Sequence, residues 1–313
     1  MTESKPNDNG RYFEYLVTKK IQDDHKVSLT KRAKIDQIRD SKKNIEPNII
    51  KEMELASEKI SYWVKDQIKL NKESILDRPP DIEGKKTTHE DISIVNDNNQ
   101  TLSFSLKHNH KAIFHGRIGS IVNNNWLNMD KDNEIYKKFE SNKVKLINDL
   151  HEHIPIGTEF AGALLNNTKL KGVKKIYQLI WKEFIYSLHE EVKKVLSNKH
   201  IKQSNVKYLF LKIMGTGNDQ YRILKKGNKV IIQDLRNIKI PTKFTIENIQ
   251  KLNKKNDPRS LYVWHLVLKF NNGLVINGRT KHDSKTMKKS PLIKTDWIIN
   301  DWGNSGLIEE ILS

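Results

Sequence analysis

The chain of 313 residues has no cysteine, which excludes disulfides, thiolate nucleophiles and Cys-ligated zinc and fits a reducing cytoplasm. No uninterrupted apolar stretch approaches the roughly 18 residues that a membrane-spanning helix needs. The opening Met1–Asn9 is polar with no apolar stretch behind it, so no secretory leader is expected. Internal repeats and low-complexity blocks are absent, and no linker cleanly separates two domains. Acidic residues are in short supply: 38 Asp+Glu stand against 56 Lys+Arg, a formal net charge of +18.

What is present makes a folded protein. Hydrophobic residues are 36% of the chain, with nine Phe, nine Tyr and six Trp, too many for a disordered polyelectrolyte. The length suits one large or two smaller domains and is ample to bury a core. The Lys excess runs along the whole chain and attracts polyanions, nucleic acid first and anionic membrane second. An AT-biased genome would explain much of the Lys count, but not the failure of Asp and Glu to balance it.

Periodicity orders the chain as helices, a short strand pair, helices, then strands. Phe13, Leu16, Val17 and Ile21 recur at helical spacing over 11–24. A second helix is expected over 48–70, with Ile49, Met53, Ala56, Ile60, Trp63, Val64 and Ile68 in one stripe ahead of Pro79-Pro80. Residues 91–95 and 101–107 alternate polar and apolar around an Asn/Asp-rich loop. They read as an antiparallel hairpin burying Ile92, Ile94, Leu102, Phe104 and Leu106. Helices are expected over 133–152 and 173–196, and strands over 206–214, 221–224, 230–233, 261–270 and 274–279. The expected class is α/β (α+β): a mixed central sheet flanked by helices, with a β-rich C-terminal part. Residues 1–200 would form the core and 201–313 would complete it.

The hairpin carries the chemistry. Ser105 and Lys107 lie two apart on one strand and project to the same face. Antiparallel pairing returns them beside the start of the first strand, so Asp91 and Lys107 become neighbours. A carboxylate beside a lysine serves metal-dependent phosphodiester hydrolysis. Asp91 and the Leu106 carbonyl would hold Mg²⁺, which keeps several waters and needs only one or two carboxylates. Lys107 would orient or deprotonate the attacking water and neutralise developing charge. Ser105 stands where this arrangement usually has a second carboxylate; Glu14 is the candidate to supply it, ahead of Glu90 and Asp81.

Residues 103–117 then read SFSLKHNHKAIFHGR. This stretch resembles the HaeIII-like family of type II restriction endonucleases, which carries a similar S-L-K-H-N-H-x-A-x-x-H-x-R run. Gly10-Arg11-Tyr12-Phe13-Glu14-Tyr15 is similar to that family's opening helix, and 270–284 more loosely to its late strand motif. The resemblance implies a PD-(D/E)xK fold and Mg²⁺-dependent, site-specific cleavage of double-stranded DNA at a short palindrome, typically GGCC. It implies Asp91 as metal ligand, Lys107 as catalytic lysine, Ser105 at the variant acidic position and Glu14 as a further ligand. It also implies a bacterial, cytoplasmic restriction-modification enzyme, paired in function with a cognate DNA methyltransferase. A homodimer would place one site on each strand.

His108, Asn109, His110 and His115 are expected to contact phosphates or base edges, or to hold the end of the strand. Contiguous His108-Asn109-His110 is not the dispersed HNH nuclease motif, and zinc on His108, His110 and His115 lacks a convincing further ligand. Guanine O6 and N7 suit Arg or Lys, which makes Arg117, Arg279 and Lys281 base-reading candidates. Lys111 and Arg222 are assigned to phosphates. Two rivals remain: a same-fold nuclease with a repair or nicking role, and a DNA-binding protein without catalysis.

Overall fold

The computed structural model describes residues 6–79, 90–109, 112–116, 134–158, 171–197, 201–214, 220–251, 263–282, 286–290 and 293–312. The helices are α1 (Pro6–His25), α2 (Lys31–Asp40), α3 (Pro47–Gln67), α4 (Glu134–His153), α5 (Lys171–Leu196) and α6 (Gln203–Met214). The first strands are β1 (Ser28–Leu29), β2 (Ile75–Asp77), β3 (Ile92–Val95), β4 (Thr101–His108), β5 (Ala112–Gly116), β6 (Gln220–Lys226) and β7 (Lys229–Asp234). The rest are β8 (Phe244–Lys251), β9 (Val263–Phe270), β10 (Val275–His282), β11 (Ile293–Asp301) and β12 (Ile308–Leu312). The fold is mixed α+β.

Contacts divide the chain into two interleaved units, the first made of Met1–Lys111, Gly215–Ile238 and Gly306–Ser313. Its seven-stranded sheet has the order β1-β2-β3-β4-β6-β7-β12. β2, β3 and β4 form an antiparallel meander, whereas β4 and β6 are parallel, so the sheet is mixed. The parallel pairing needs a long crossover, and here the connection runs through residues 109–219. β7 and β12 then add antiparallel strands.

Local sequence explains why these elements form. Pro47 opens α3 where a missing N–H costs nothing, and the helix stops as Ile68 turns extended. Thr30 caps α2 by accepting the Ala33 N–H at 3.1 Å. Between β3 and β4, Asn96 Oδ1 accepts the N–H groups of Asn98 and Gln100, closing a tight loop. The expected apolar face is buried: Ile92, Ile94, Leu102, Phe104 and Leu106 share one core with Phe13, Val17, Met53, Ile60 and Trp63. The Trp63 ring meets Tyr221 edge-on at 4.8 Å and Phe104 at 6.1 Å.

The second unit comprises Ala112–Met214 and Lys239–Ser305. It has a five-stranded sheet of order β5-β11-β10-β9-β8, antiparallel throughout. Trp297 is fully buried across Gly278, where an added Cβ would come within 2.9 Å of its ring. Only glycine leaves that space.

Several sequence expectations change. Residues 206–214 form helix, not strand: Val206, Leu209, Phe210, Ile213 and Met214 are buried at helical spacing. Their aromatic and β-branched content imitates a strand, but Asn205 Oδ1 accepts the Lys202 N–H at 2.8 Å and caps the start of α6. The division near residue 200 gives way to interleaving, because β6, β7 and β12 extend the first sheet. β1, β2, β5, β8, β11, β12 and α2 were not anticipated.

Phe104 is fully buried at the centre of the hairpin's core. Phe104→Ala is expected to destabilise the chain by about 3–5 kcal/mol, checked by the shift in its chemical denaturation midpoint; an unshifted midpoint would contradict this packing.

Candidate active site

Register builds the site from the hairpin outward. Ile92, the first residue of β3, stands opposite Phe104 in the middle of β4, so residues 105–108 run on past the start of β3. Asp91 continues the ladder by donating its N–H to the Phe104 carbonyl at 3.0 Å. Its side chain turns to β4: Oδ2 accepts the Leu106 N–H at 2.8 Å and lies 3.5 Å from Lys107 Nζ. The expected pair is therefore brought together, with the Lys107 side chain 22% and the Asp91 side chain 15% exposed. A strand residue sends its N–H and C=O to the same side. The Leu106 carbonyl thus faces the side that Asp91 occupies, beyond the start of β3.

Glu14 reaches the same place from α1, whose Phe13, Leu16 and Val17 pack into the core beside β4. Arg78 Nη2 donates to Glu14 Oε2 at 2.6 Å, and Arg11 Nη1 stands 3.5 Å from the same oxygen. Burial, then the nearby Asp91 charge, push the Glu14 carboxyl up to about 7, against the pull of Arg78 and Arg11. Asp91 thus adds to the cost of ionising Glu14.

Behind Glu14 lies a second layer. Arg78, 2% exposed, also donates through Nη2 to Asp40 Oδ2 at 2.9 Å. Asp40 is fully buried and is gripped bidentately by Arg39 at 2.8 Å through both bonds. Burial alone would raise the Asp40 carboxyl, but Arg39 and Arg78 hold it below the usual carboxylate range.

Sequence reasoning missed Arg78 and Asp40. A lone Arg before Pro79-Pro80 carries no periodic signal, and Asp36, Arg39 and Asp40 on a short helix look like an ordinary solvated charge pattern. Asp81 lies outside the described residues, and Glu90 is buried.

The remaining residues sort unevenly. Ser105 is buried, not at a solvated face. Arg222 stands opposite Ser105 and corrects its assignment to phosphate: it is 3% exposed and donates to Gln233 Oε1 at 3.2 Å. Burial lowers its pKa to about 10 against the opposing pull of Glu309, leaving it cationic but enclosed. His108 also departs from a phosphate-contacting role. Burial, and then the Lys225 charge, depress its pKa to about 4, so the ring is neutral, packed against Phe13.

Asn109 stands at the end of β4 and bonds the turn that follows β6. Its φ is 51°, its N–H donates to the Lys225 carbonyl at 2.8 Å, and its Oδ1 accepts the Gly227 N–H. Lys225 is buried and bonds Glu52 at 2.7 Å. In the second unit, Arg279 donates to the fully buried Asp296 at 2.6 Å while its own side chain stays 42% exposed. His115 stands opposite Asp296 and Lys281 opposite Lys294 in the backbone register. His110, Lys111 and Arg117 lie outside the described residues.

Among the described residues, no group of three or more His, Asp or Glu is arranged to hold a metal. The donor set is smaller: the Asp91 and Glu14 carboxylates and the Leu106 carbonyl. All are oxygen, and the mutual charge of the carboxylates favours a divalent cation, so the set fits Mg²⁺ with water completing its shell. No protein-family model, curated protein or solved structure matches the chain.

Glu14 generates a prediction. A carboxyl raised from 4.5 to about 7 holds its proton in the folded chain after the unfolded chain has released it. The resulting stabilisation is complete below about pH 4.5 and is lost as pH rises through about 7. In EDTA, the thermal midpoint of wild type relative to Glu14→Gln should fall between pH 5 and pH 8; a difference independent of pH would contradict this environment.

Proposed function

We propose that the chain is a Mg²⁺-dependent endonuclease of the HaeIII-like restriction type, hydrolysing phosphodiester bonds in duplex DNA at a short palindrome, GGCC by resemblance. The observation that carries this reading is Asp91, Lys107 and Glu14 gathered at the mouth of one β-hairpin. An antiparallel hairpin followed by a parallel strand across a long crossover supports a restriction-endonuclease-like core.

Mg²⁺, when bound, supplies Lewis acidity at the scissile phosphate and lowers the pKa of a coordinated water. The chain's own residues supply the rest. Asp91 is fixed by its backbone bond to Phe104 and by the Leu106 N–H, so its carboxylate needs little reorganisation to serve as a ligand. Lys107, 3.5 Å from Asp91, would orient the attacking water through its ammonium group and offset negative charge on the phosphate. Ser105, buried at the variant acidic position, adds no charge, which leaves the second carboxylate to Glu14.

The net charge of +18 supplies sequence-independent attraction to DNA, weakened by salt as counterions are released. Arg279, half-exposed and steered by Asp296, remains a base-reading residue in this proposal. Cutting both strands of a palindrome is simplest with a homodimer.

Incubation of unmodified plasmid with Mg²⁺ should give discrete fragments whose sequenced ends share one short palindrome. Asp91→Ala and Lys107→Ala should each lower cutting by roughly 10²-fold or more with cognate binding retained in a gel-shift assay. Wild-type binding without cutting would favour the non-catalytic DNA-binding reading; undiminished cutting by both variants would place the active site elsewhere.

A further inference from the structure

Arg78 makes an unusual ion pair. Two other arginines of this unit grip their carboxylates with a fork: Arg39 on Asp40 at 2.8 and 2.8 Å, and Arg236 on Asp234 at 2.9 and 2.7 Å. Arg78, although 2% exposed, spends one nitrogen on two carboxylates, Glu14 at 2.6 Å and Asp40 at 2.9 Å. Among the described residues its Nε and Nη1 are buried without a hydrogen-bond partner. A buried guanidinium that served only to tie α1 to α2 would gain more by forking onto either carboxylate. Sharing one nitrogen keeps both carboxylates attached while the rest of the fork bonds neither.

We propose that Arg78 is a resident cation at the metal centre: it occupies the Glu14 carboxylate in the metal-free chain and withdraws wholly onto Asp40 when a divalent ion takes Glu14. This rests on the reading of Asp91 and Glu14 as metal ligands. The two seats are unequal. Asp40 is fully buried and anchored by Arg39, so it stays in place whichever state the site is in. Glu14 has Asp91 as a charged neighbour and can exchange one cation for another. With Asp40 present, the exchange strands no charge, because Arg78 keeps a carboxylate partner throughout. Arg78 is a positioning residue here: it acts on metal affinity through Glu14.

Competition has a signature that a structural clamp lacks, because the two partners of Arg78 then act in opposite directions. Mg²⁺ binding is measured by calorimetry at pH 8.5 without DNA for wild type, Arg78→Gln, Asp40→Asn and the double variant. Removing the competitor in Arg78→Gln should tighten Mg²⁺ binding by roughly tenfold. Removing the alternative seat in Asp40→Asn should weaken it by a similar factor. The double variant should resemble Arg78→Gln, since Asp40 acts only through Arg78. Weaker or unchanged binding in Arg78→Gln overturns the proposal. Should that variant not fold, Asp40→Asn decides alone: weaker binding supports competition, while unchanged or tighter binding overturns it. A wild-type chain that binds no Mg²⁺ sinks the metal-centre reading itself, and the competition with it.

Discussion

Two carboxylates, Asp91 and Glu14, converge at the open end of a hairpin whose other face is a packed core, and the surrounding arrangement answers that repulsion. Burial and then the Asp91 charge make Glu14 costly to ionise unless positive charge stands nearby. Lys107 approaches from the strand, Arg11 from the helix and Arg78 from beneath. Each places a cation where the pair would otherwise attract one from solution. On the proposed reading, a divalent ion would bind the same oxygens that these cations contact.

The scaffold holds these charges by ordinary means. Register alone decides that Asp91 and Lys107 meet: a slip of one residue would turn Lys107 into the core and bring Leu106 outward. The core prevents that slip, because Ile92, Ile94, Phe104 and Leu106 are buried against α1 and α3 residues. Precision at the site thus derives from hydrophobic packing a few ångströms away. Asp91 also has its backbone in the ladder and its carboxylate on the next strand, which leaves it little freedom to wander.

How much of this was legible in the sequence follows from which signals are local. Two-residue alternation around an Asn-rich loop is sufficient for the hairpin, its register and the Asp91–Lys107 meeting. Helical spacing suffices for α1 and α3. Glu14 was legible as a candidate only, named because Ser105 stands where the resembled arrangement has a second carboxylate; its nearness to Asp91 is what the structure adds. Arg78 and Asp40 were not legible, because their partnership depends on β2 and α2 arriving together, which no local pattern encodes. Arg222 misled because polar positions on an alternating strand ordinarily face water, whereas here Ser103, Ser105, Arg222 and Gln233 are all buried. α6 misled because Val206, Tyr208, Phe210 and Ile213 favour strand composition although the burial period is helical.

The most direct test of the central claim is anomalous diffraction from crystals soaked with Mn²⁺ in place of Mg²⁺. A peak is predicted at about 2.1 Å from an Asp91 carboxylate oxygen and from the Leu106 carbonyl, with Glu14 turned toward it. A peak among the histidines that follow β4, or none near Asp91 at saturating metal, would contradict it.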